Sequence, residues 1–327
     1  MNNTRLSPGT RRFPPAGDEK MRTPRSFHPL LPILAVLTLG LLPACETLNH
    51  HLIHPVDAPA GVVTWSEDIE KGDLLVHLEW AAPVGEGPFP AVLVHAEGGK
   101  TAREMKGVIW DLAHRGYVAA AADYKRRIDG RFRRNMFAWR SEADVTASLE
   151  RLHAHPSVDK DRIATLGFSQ GGIFALLIAA HAPEIVKAAV SYYPVADFEE
   201  WLSAERPNPV RRLVYRIIRS FFRRESGARD EEEFRRILKA ASPLPNAERI
   251  KAPVLLVHGE KDTTASPEES RRLAARFREL GRDVELLIVP GAAHVFNFKQ
   301  TEQARTAWDA TIRFLEKHIG SPPPKSP

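Results

Sequence analysis

Residues 166–174 read LGFSQGGIF. One serine, Ser169, stands between Gly167 and Gly171, and Gly172 follows. At ordinary glycine and serine usage, G-x-S-x-G arises by chance in roughly one chain in ten of this length. The neighbouring sequence therefore has to decide what the pattern is. Upstream, RIATLGF (162–168) is the short apolar run of a buried strand. Downstream, GGIFALLIAAHA (171–182) is rich in Ala and Leu and predicts a helix. A serine on a tight turn from strand to helix has the setting of a nucleophile elbow. Glycine is needed at 167 and 171 because a Cβ there would collide with the adjoining strand and helix. The turn lifts Ser169 above the carboxyl edge of the sheet, where ligands bind in open α/β folds. The following helix points its N-terminus at the same place and favours developing negative charge. The competing reading is a Gly-rich bend with an idle serine.

Outward from this turn, strand-like and helix-like segments alternate. VVTWS (62–66), DLLVHLEW (73–80), AVLVHA (91–96), YVAAAADY (117–124), VKAAVSYYP (186–194), APVLLVHGEKD (252–262) and VELLIVP (284–290) read as strands. Helices are expected over 102–115, 139–154, 266–280 and 301–318. The third has Ser266 as N-cap, Pro267 in its first turn and Glu269 in the capping-box position. The pattern predicts an α/β class, with a mostly parallel sheet covered on both faces over residues 61–319. Residues 196–248 break the rhythm before the strand that leads to Asp262. They contain VRRLVYRIIRSFFRR (210–224), basic and apolar at once. Three readings are open: an insertion helix with its arginines in water, a substrate lid, or a helix lying on a membrane surface.

A serine hydroxyl needs a base to take its proton, and the base needs orienting. LLVHGEKDTTASP (255–267) places Asp262 just after a strand, and VPGAAHVFN (289–297) places His294 just after the next. Both fall on the same sheet edge as Ser169, in the chain order Ser, Asp, His. Glu260 is the rival carboxylate. His258 ends a strand and reads as structural, while His153, His155 and His181 lie away from that edge. An oxyanion needs two donors. One is the backbone N–H of Gln170. The other is assigned to the N–H of Glu97 in HAEGGK (95–100), unless Gly98 and Gly99 merely turn the chain.

The segments VLVHAEGG, LAHRGYVAAAADY, VDKDRIATLGFSQGG, APVLLVHGEKDTTASPEES and VPGAAHVF together resemble the α/β-hydrolase superfamily, in its dienelactone-hydrolase-like branch. The resemblance spans roughly residues 75–318. It implies hydrolysis of an ester or related acyl compound, a small-molecule acyl substrate, and neither metal nor organic cofactor. Two departures stand out. Dienelactone hydrolases proper use a cysteine where this chain has Ser169, and they are usually cytosolic. Prolyl-oligopeptidase-type peptidases share the downstream motifs, so a peptidase is the second enzymatic reading. A non-catalytic tethered binding protein on a hydrolase fold is the reading from another class.

The 327 residues carry a formal net charge of +5. No zinc-finger spacing or RNA-binding aromatic motif accompanies the basic residues, so nucleic acid is not expected as a partner. A single cysteine, Cys45, rules out an internal disulfide and a Cys-based metal cluster. Residues 1–45 read as an N-terminal extension and export signal. The apolar core, Ile33 to Leu42, is shorter than the ~20 residues a membrane span needs. Its end, Leu42-Pro43-Ala44-Cys45, resembles the lipobox of bacterial lipoproteins. That resemblance implies lipidation at Cys45 and a lipid-anchored protein of the bacterial cell envelope; plain secretion and a retained anchor are the alternatives. Membrane contact is expected through Cys45 and the basic stretch 211–224. Residues 46–60 read as a linker, with His50, His51 and His54 in a tether rather than a metal site. Residues 320–327 read as a disordered tail.

Overall fold

The computed structural model describes residues 53–320 except 129, 135–138, 140, 141 and 205–207. The expected signal, Cys45, His50, His51 and the tail from residue 321 lie outside the described residues. In chain order the elements are β1 (Val62–Lys71), β2 (Leu74–Pro83), β3 (Phe89–His95), a 3-10 turn (Ala102–Met105), α1 (Lys106–His114), β4 (Val118–Ile128), β5 (Arg131–Arg134), α2 (Glu142–His153), β6 (Val158–Phe168), α3 (Gln170–His181) and β7 (Val186–Tyr192). There follow α4 (Phe198–Ser203), α5 (Pro209–Ser226), α6 (Glu231–Ala240), a second 3-10 turn (Leu244–Arg249), β8 (Val254–Gly259), α7 (Pro267–Glu279), β9 (Val284–Val289), α8 (Phe296–Lys299) and α9 (Thr301–Ile319).

The sheet runs β1-β2-β4-β3-β6-β7-β8-β9. β1 and β2 pair antiparallel, as do β2 and β4, and every pairing from β4 through β3 to β9 is parallel. The apolar runs explain why both faces are covered. In β3, Ala91 and Leu93 face one layer of core while Val92 and Val94 face the other. The first layer is closed by Leu149 and Leu152 of α2, Leu176 and Ile178 of α3, and Leu273 and Phe277 of α7. The second is closed by Val108 and Leu112 of α1 and by Trp308, Phe314 and Leu315 of α9.

β5 is an addition to the expected elements. β3 stops pairing with β4 at His95–Ala122, whereas β4 continues and pairs with β5 from Lys125–Arg134 to Ile128–Arg131. The hairpin therefore projects past the carboxyl end of β3. Gly130, with φ of 74°, supplies the left-handed residue its turn requires.

The interrupting segment is three helices between β7 and β8. Each begins on a side-chain cap: Asp197 accepts from the N–H groups of Glu199 and Glu200, Asn208 from Val210 and Arg211, and Asp230 from Glu233. Phe198, Leu202, Ile218, Phe222, Phe234 and Leu238 form a separate core against Ile173 and Leu177 of α3 and against Ala265. Arg212, Arg216, Arg223 and Arg224 remain exposed on the outside of α5. At the start of α7, Ser266 caps the N–H of Glu268 at 3.3 Å as expected. The capping box itself is not closed. Glu269 instead turns its Oε2 to the N–H of Ala196 at 2.9 Å, tying the start of the insertion to α7.

Candidate active site

Ser169 sits between β6 and α3 with φ of 52° and ψ of −115°. This conformation is costly for a residue with a Cβ. Close packing enforces it. A Cβ on Gly167 would stand 1.9 Å from the carbonyl oxygen of Gly171, and one on Gly171 would stand 2.2 Å from that of His95. The N–H of Ser169 donates to Tyr192 O at 2.9 Å, which hangs the turn from β7. Among the described residues, the non-glycine residues with positive φ are Ser169, Tyr193 at 38° and Val295 at 61°. Ser169 and Tyr193 follow directly on β6 and β7, and Val295 lies in the loop after β9, next to His294.

The same edge brings Asp262 and His294 to Ser169. Ser169 Oγ is 3.1 Å from His294 Nε2, and His294 Nδ1 is 2.5 Å from Asp262 Oδ2. Burial of Asp262 acts to raise its pKa, but hydrogen bonds from His258 and His294 outweigh it and hold the carboxyl at about 2. The carboxylate is therefore ionised at neutral pH and can only accept, so His294 donates from Nδ1 and presents the Nε2 lone pair to Ser169. Asp262 Oδ1 accepts from the backbone N–H groups of Thr264 at 2.8 Å and Ala265 at 3.0 Å. The acid and histidine loops touch closely, since a Cβ on Gly259 would stand 2.5 Å from Ala292 O. Glu260 takes a different part: its Oε2 accepts from the N–H of Gly291 at 2.9 Å and so braces the histidine loop.

The loop after β3 packs on the first turn of α3. A Cβ on Gly98 would lie 3.3 Å from Gln170 Oε1. Glu97 and Gln170 are thus brought to the same corner. The Glu97 side chain is buried there, Oε2 has no partner among the described residues, and burial pushes the carboxyl up to about 7 against the pull of Lys100 and Lys299. His95, two residues before it, is buried with neither ring nitrogen bonded among the described residues, and burial lowers its pKa to about 3. His54 lies against Asp111, 3.4 Å away, on the opposite face of the sheet.

Several further residues support the site. The Tyr193 ring lies 4.6 Å from that of His294, and its hydroxyl donates to Asn297 Oδ1. His258 donates from Nε2 to Ala265 O at 2.9 Å, with Asp262 Oδ2 3.3 Å from the same nitrogen, and receives Ser270 Oγ at Nδ1 at 2.7 Å. Trp201 of α4 and Tyr215 of α5 both donate to Thr264 O, at 3.1 and 3.3 Å. Distance in sequence hid Trp201 and Tyr215; the folded insertion brings them to the acid loop.

Strand order, elbow, acid loop and histidine loop define the α/β-hydrolase fold, and the bonded Ser169–His294–Asp262 chain is the arrangement of a serine hydrolase. Residues 108–322 match the prolyl oligopeptidase family, and the chain belongs to that family. An uncharacterized peptidase of Bacillus subtilis, YtmA, is 30% identical over 224 residues, covering 68% of this chain and 82% of the relative. A Yersinia pestis protein provisionally named a carboxymethylenebutenolidase is 26% identical over 246 residues, covering 70% of this chain and 78% of its own. Among solved structures, the acylaminoacyl peptidase of Pyrococcus horikoshii superposes with a TM-score of 0.62 at 19% identity. That match covers 82% of this chain but only 43% of the peptidase, so this chain spans less than half the peptidase's length. At that identity the shared feature is the fold.

Proposed function

We propose that the protein hydrolyses a carboxylic ester of a small acyl compound in two steps, with Ser169 as nucleophile. Ser169 Oγ attacks the carbonyl carbon while its proton passes to His294 Nε2. The tetrahedral oxygen takes up negative charge beside the N–H groups of Gln170 and Glu97. Collapse breaks the ester C–O bond, and His294 returns the proton to the departing alkoxide. Water, deprotonated by His294, then releases the acid and restores the serine. Asp262 fixes the imidazole tautomer and stabilises the imidazolium in both steps. The observation that carries this reading is the continuous hydrogen-bonded chain from a strained Ser169 through His294 to an ionised Asp262.

One observation favours esters over peptides. The Yersinia pestis relative is named for a lactone, a cyclic ester, and it shares most of its length with this chain. A peptidase is the second reading, supported by the Bacillus subtilis relative. Ser169→Ala should abolish turnover of a short-chain p-nitrophenyl ester and labelling by a fluorophosphonate, without unfolding the protein. Retained turnover would reject the nucleophile. Faster cleavage of aminoacyl p-nitroanilides than of esters would favour the peptidase.

The cellular setting we propose is the bacterial envelope, with the domain tethered through a lipid on Cys45. The lipobox-like Leu42–Cys45 supports it, and mass spectrometry finding Cys45 unmodified within a longer chain would end it. Among the described residues no helix is long and apolar enough to cross a membrane. The outer face of α5 is the second candidate contact. Val210 and Leu213 are 68% and 58% exposed there, beside the exposed Arg212 and Arg216. Apolar side chains ringed by arginine suit an anionic lipid surface.

A further inference from the structure

Asp262 is gripped from the insertion as well as from its own loop. The link is one peptide unit, Thr264–Ala265. Its N–H end, on Ala265, donates to Asp262 Oδ1 at 3.0 Å. Its C=O end, on Thr264, accepts from Trp201 Nε1 at 3.1 Å and from the Tyr215 hydroxyl at 3.3 Å. A peptide unit is planar and stiff, so fixing the direction of its carbonyl fixes the direction of its N–H. Two donors on the oxygen also polarise the unit and strengthen the N–H as a donor to the carboxylate.

The two donors come from different helices. Trp201 lies in α4 and Tyr215 in α5, and their rings meet edge to face with centroids 5.0 Å apart. Behind them stand Phe198 and Phe222 of the insertion core. The next carbonyl, Ala265 O, accepts from His258 Nε2, which faces Asp262 Oδ2 at 3.3 Å. Both oxygens of Asp262 are thus set by groups that the Thr264–Ala265 segment orients. One donor would suffice to satisfy a backbone carbonyl. Two indole and phenol donors converging on it from separate helices make a directed clamp.

We infer that Trp201 and Tyr215 are positioning residues of the hydrolytic site, acting on Asp262 through the Thr264–Ala265 peptide. The inference rests on the assignment of Ser169, His294 and Asp262 proposed above. It gives the insertion a role in the chemical step itself: its helices hold the acid in line with His294. Without the clamp, the Ala265 N–H loses its aim, the carboxylate rotates more freely, and the imidazolium formed in the transition state is less well stabilised. Such a loss appears in kcat and in kcat/KM equally and leaves KM alone.

The test uses Trp201→Phe, Tyr215→Phe and the double variant of the full chain. Phenylalanine keeps an aromatic ring in place but cannot donate. Active sites are titrated with a fluorophosphonate, so that kcat refers to folded, competent protein. The double variant should lose about tenfold in kcat per titrated site and each single variant about threefold, with KM changed by less than about twofold. The low-field proton resonance of the His294 Nδ1–H to Asp262 bond should shift or broaden in parallel. Wild-type kcat per titrated site together with an unmoved resonance would overturn the inference, whatever happens to the melting temperature. If the double variant does not fold, Tyr215→Phe alone decides by the same two readings. Failure of the underlying site assignment looks different: Ser169→Ala would stay active or wild type would not be labelled.

Discussion

The carboxyl edge of the sheet and the helical insertion above it hold their shapes by different means. At the edge, Ser169, Tyr193 and Val295 carry positive φ, and Gly167, Gly171 and Gly259 let backbones approach where no Cβ fits. Such residues cost about 1–3 kcal/mol each and persist only where the surroundings over-determine them. In the insertion, capped amphipathic helices bury Ile218, Phe222, Phe234 and Leu238, and exposed arginines pair loosely with carboxylates, as Arg223 does with Glu231 at 3.4 Å. Exposed pairs of that kind contribute little. One region needs particular residues at particular positions; the other, apart from the donors Trp201 and Tyr215, needs apolar residues of suitable size. Substitutions should therefore act sharply on the edge and mildly on the outer face of the insertion.

The largest effect is expected at Asp262. Asp262→Asn keeps the shape of the loop but can donate from its amide, so the Nδ1–H tautomer of His294 is no longer enforced. Turnover of a p-nitrophenyl ester should fall by roughly 10⁴ in kcat. Thermal melting should show a folded protein. A loss below about tenfold would break the contrast, since the edge would then tolerate a change in a residue that the geometry makes specific.

A smaller effect separates the two buried carboxyls of the edge. Asp262 has a folded pKa of about 2, below its unfolded 3.8, so its stabilisation is present above the unfolded value and is lost as pH falls toward 2. Glu97 has the opposite sign. Its folded pKa of about 7 exceeds the unfolded 4.5, so the fold is favoured below 4.5 and loses stability as pH rises through 7. Glu97→Gln should flatten that alkaline decline, worth up to about 3 kcal/mol between pH 4.5 and 8, in denaturant titrations across this range. An unchanged decline would mean that another group titrates there. The insertion carboxylate Glu233 is partly exposed and paired with Arg229, and should add no comparable slope.

The parts legible in the sequence are those whose chemistry is local. Ser169 was readable because a strand, two glycines and a helix surround it within a dozen residues. Asp262 and His294 were readable because each follows directly on a strand, so its edge was determined by chain direction. The β4–β5 hairpin was missed although Gly130 marks its turn, because basic residues hid the strand pattern. Glu269 stands in the capping-box position but bonds elsewhere, because its competitor, the Ala196 N–H, is 73 residues away in sequence. Trp201 and Tyr215 gave no sign of a role, since a hydrogen bond to Thr264 O depends on how three helices pack on α3. The same holds for Glu97: its loop after β3 is visible in the sequence, but burial of its side chain has no signature in HAEGGK.

The smallest effect on stability is expected on the outer face of α5. Arg212 and Arg216 are exposed, and no acidic partner is found for either among the described residues. Replacing both by glutamate should change stability by less than about 0.5 kcal/mol and leave hydrolysis of a soluble ester untouched. Binding to vesicles is the measurement on which the pair should matter. In a full chain carrying Cys45→Ser, and hence no lipid, partition onto anionic vesicles should be measurable at low salt, weaken as salt screens the arginines, and vanish with the double glutamate change. Partition that ignores both salt and the substitutions would remove α5 from any membrane contact. It would leave the proposed lipid on Cys45 as the remaining candidate for membrane contact, and the outer face of the insertion would then be only its solvated side.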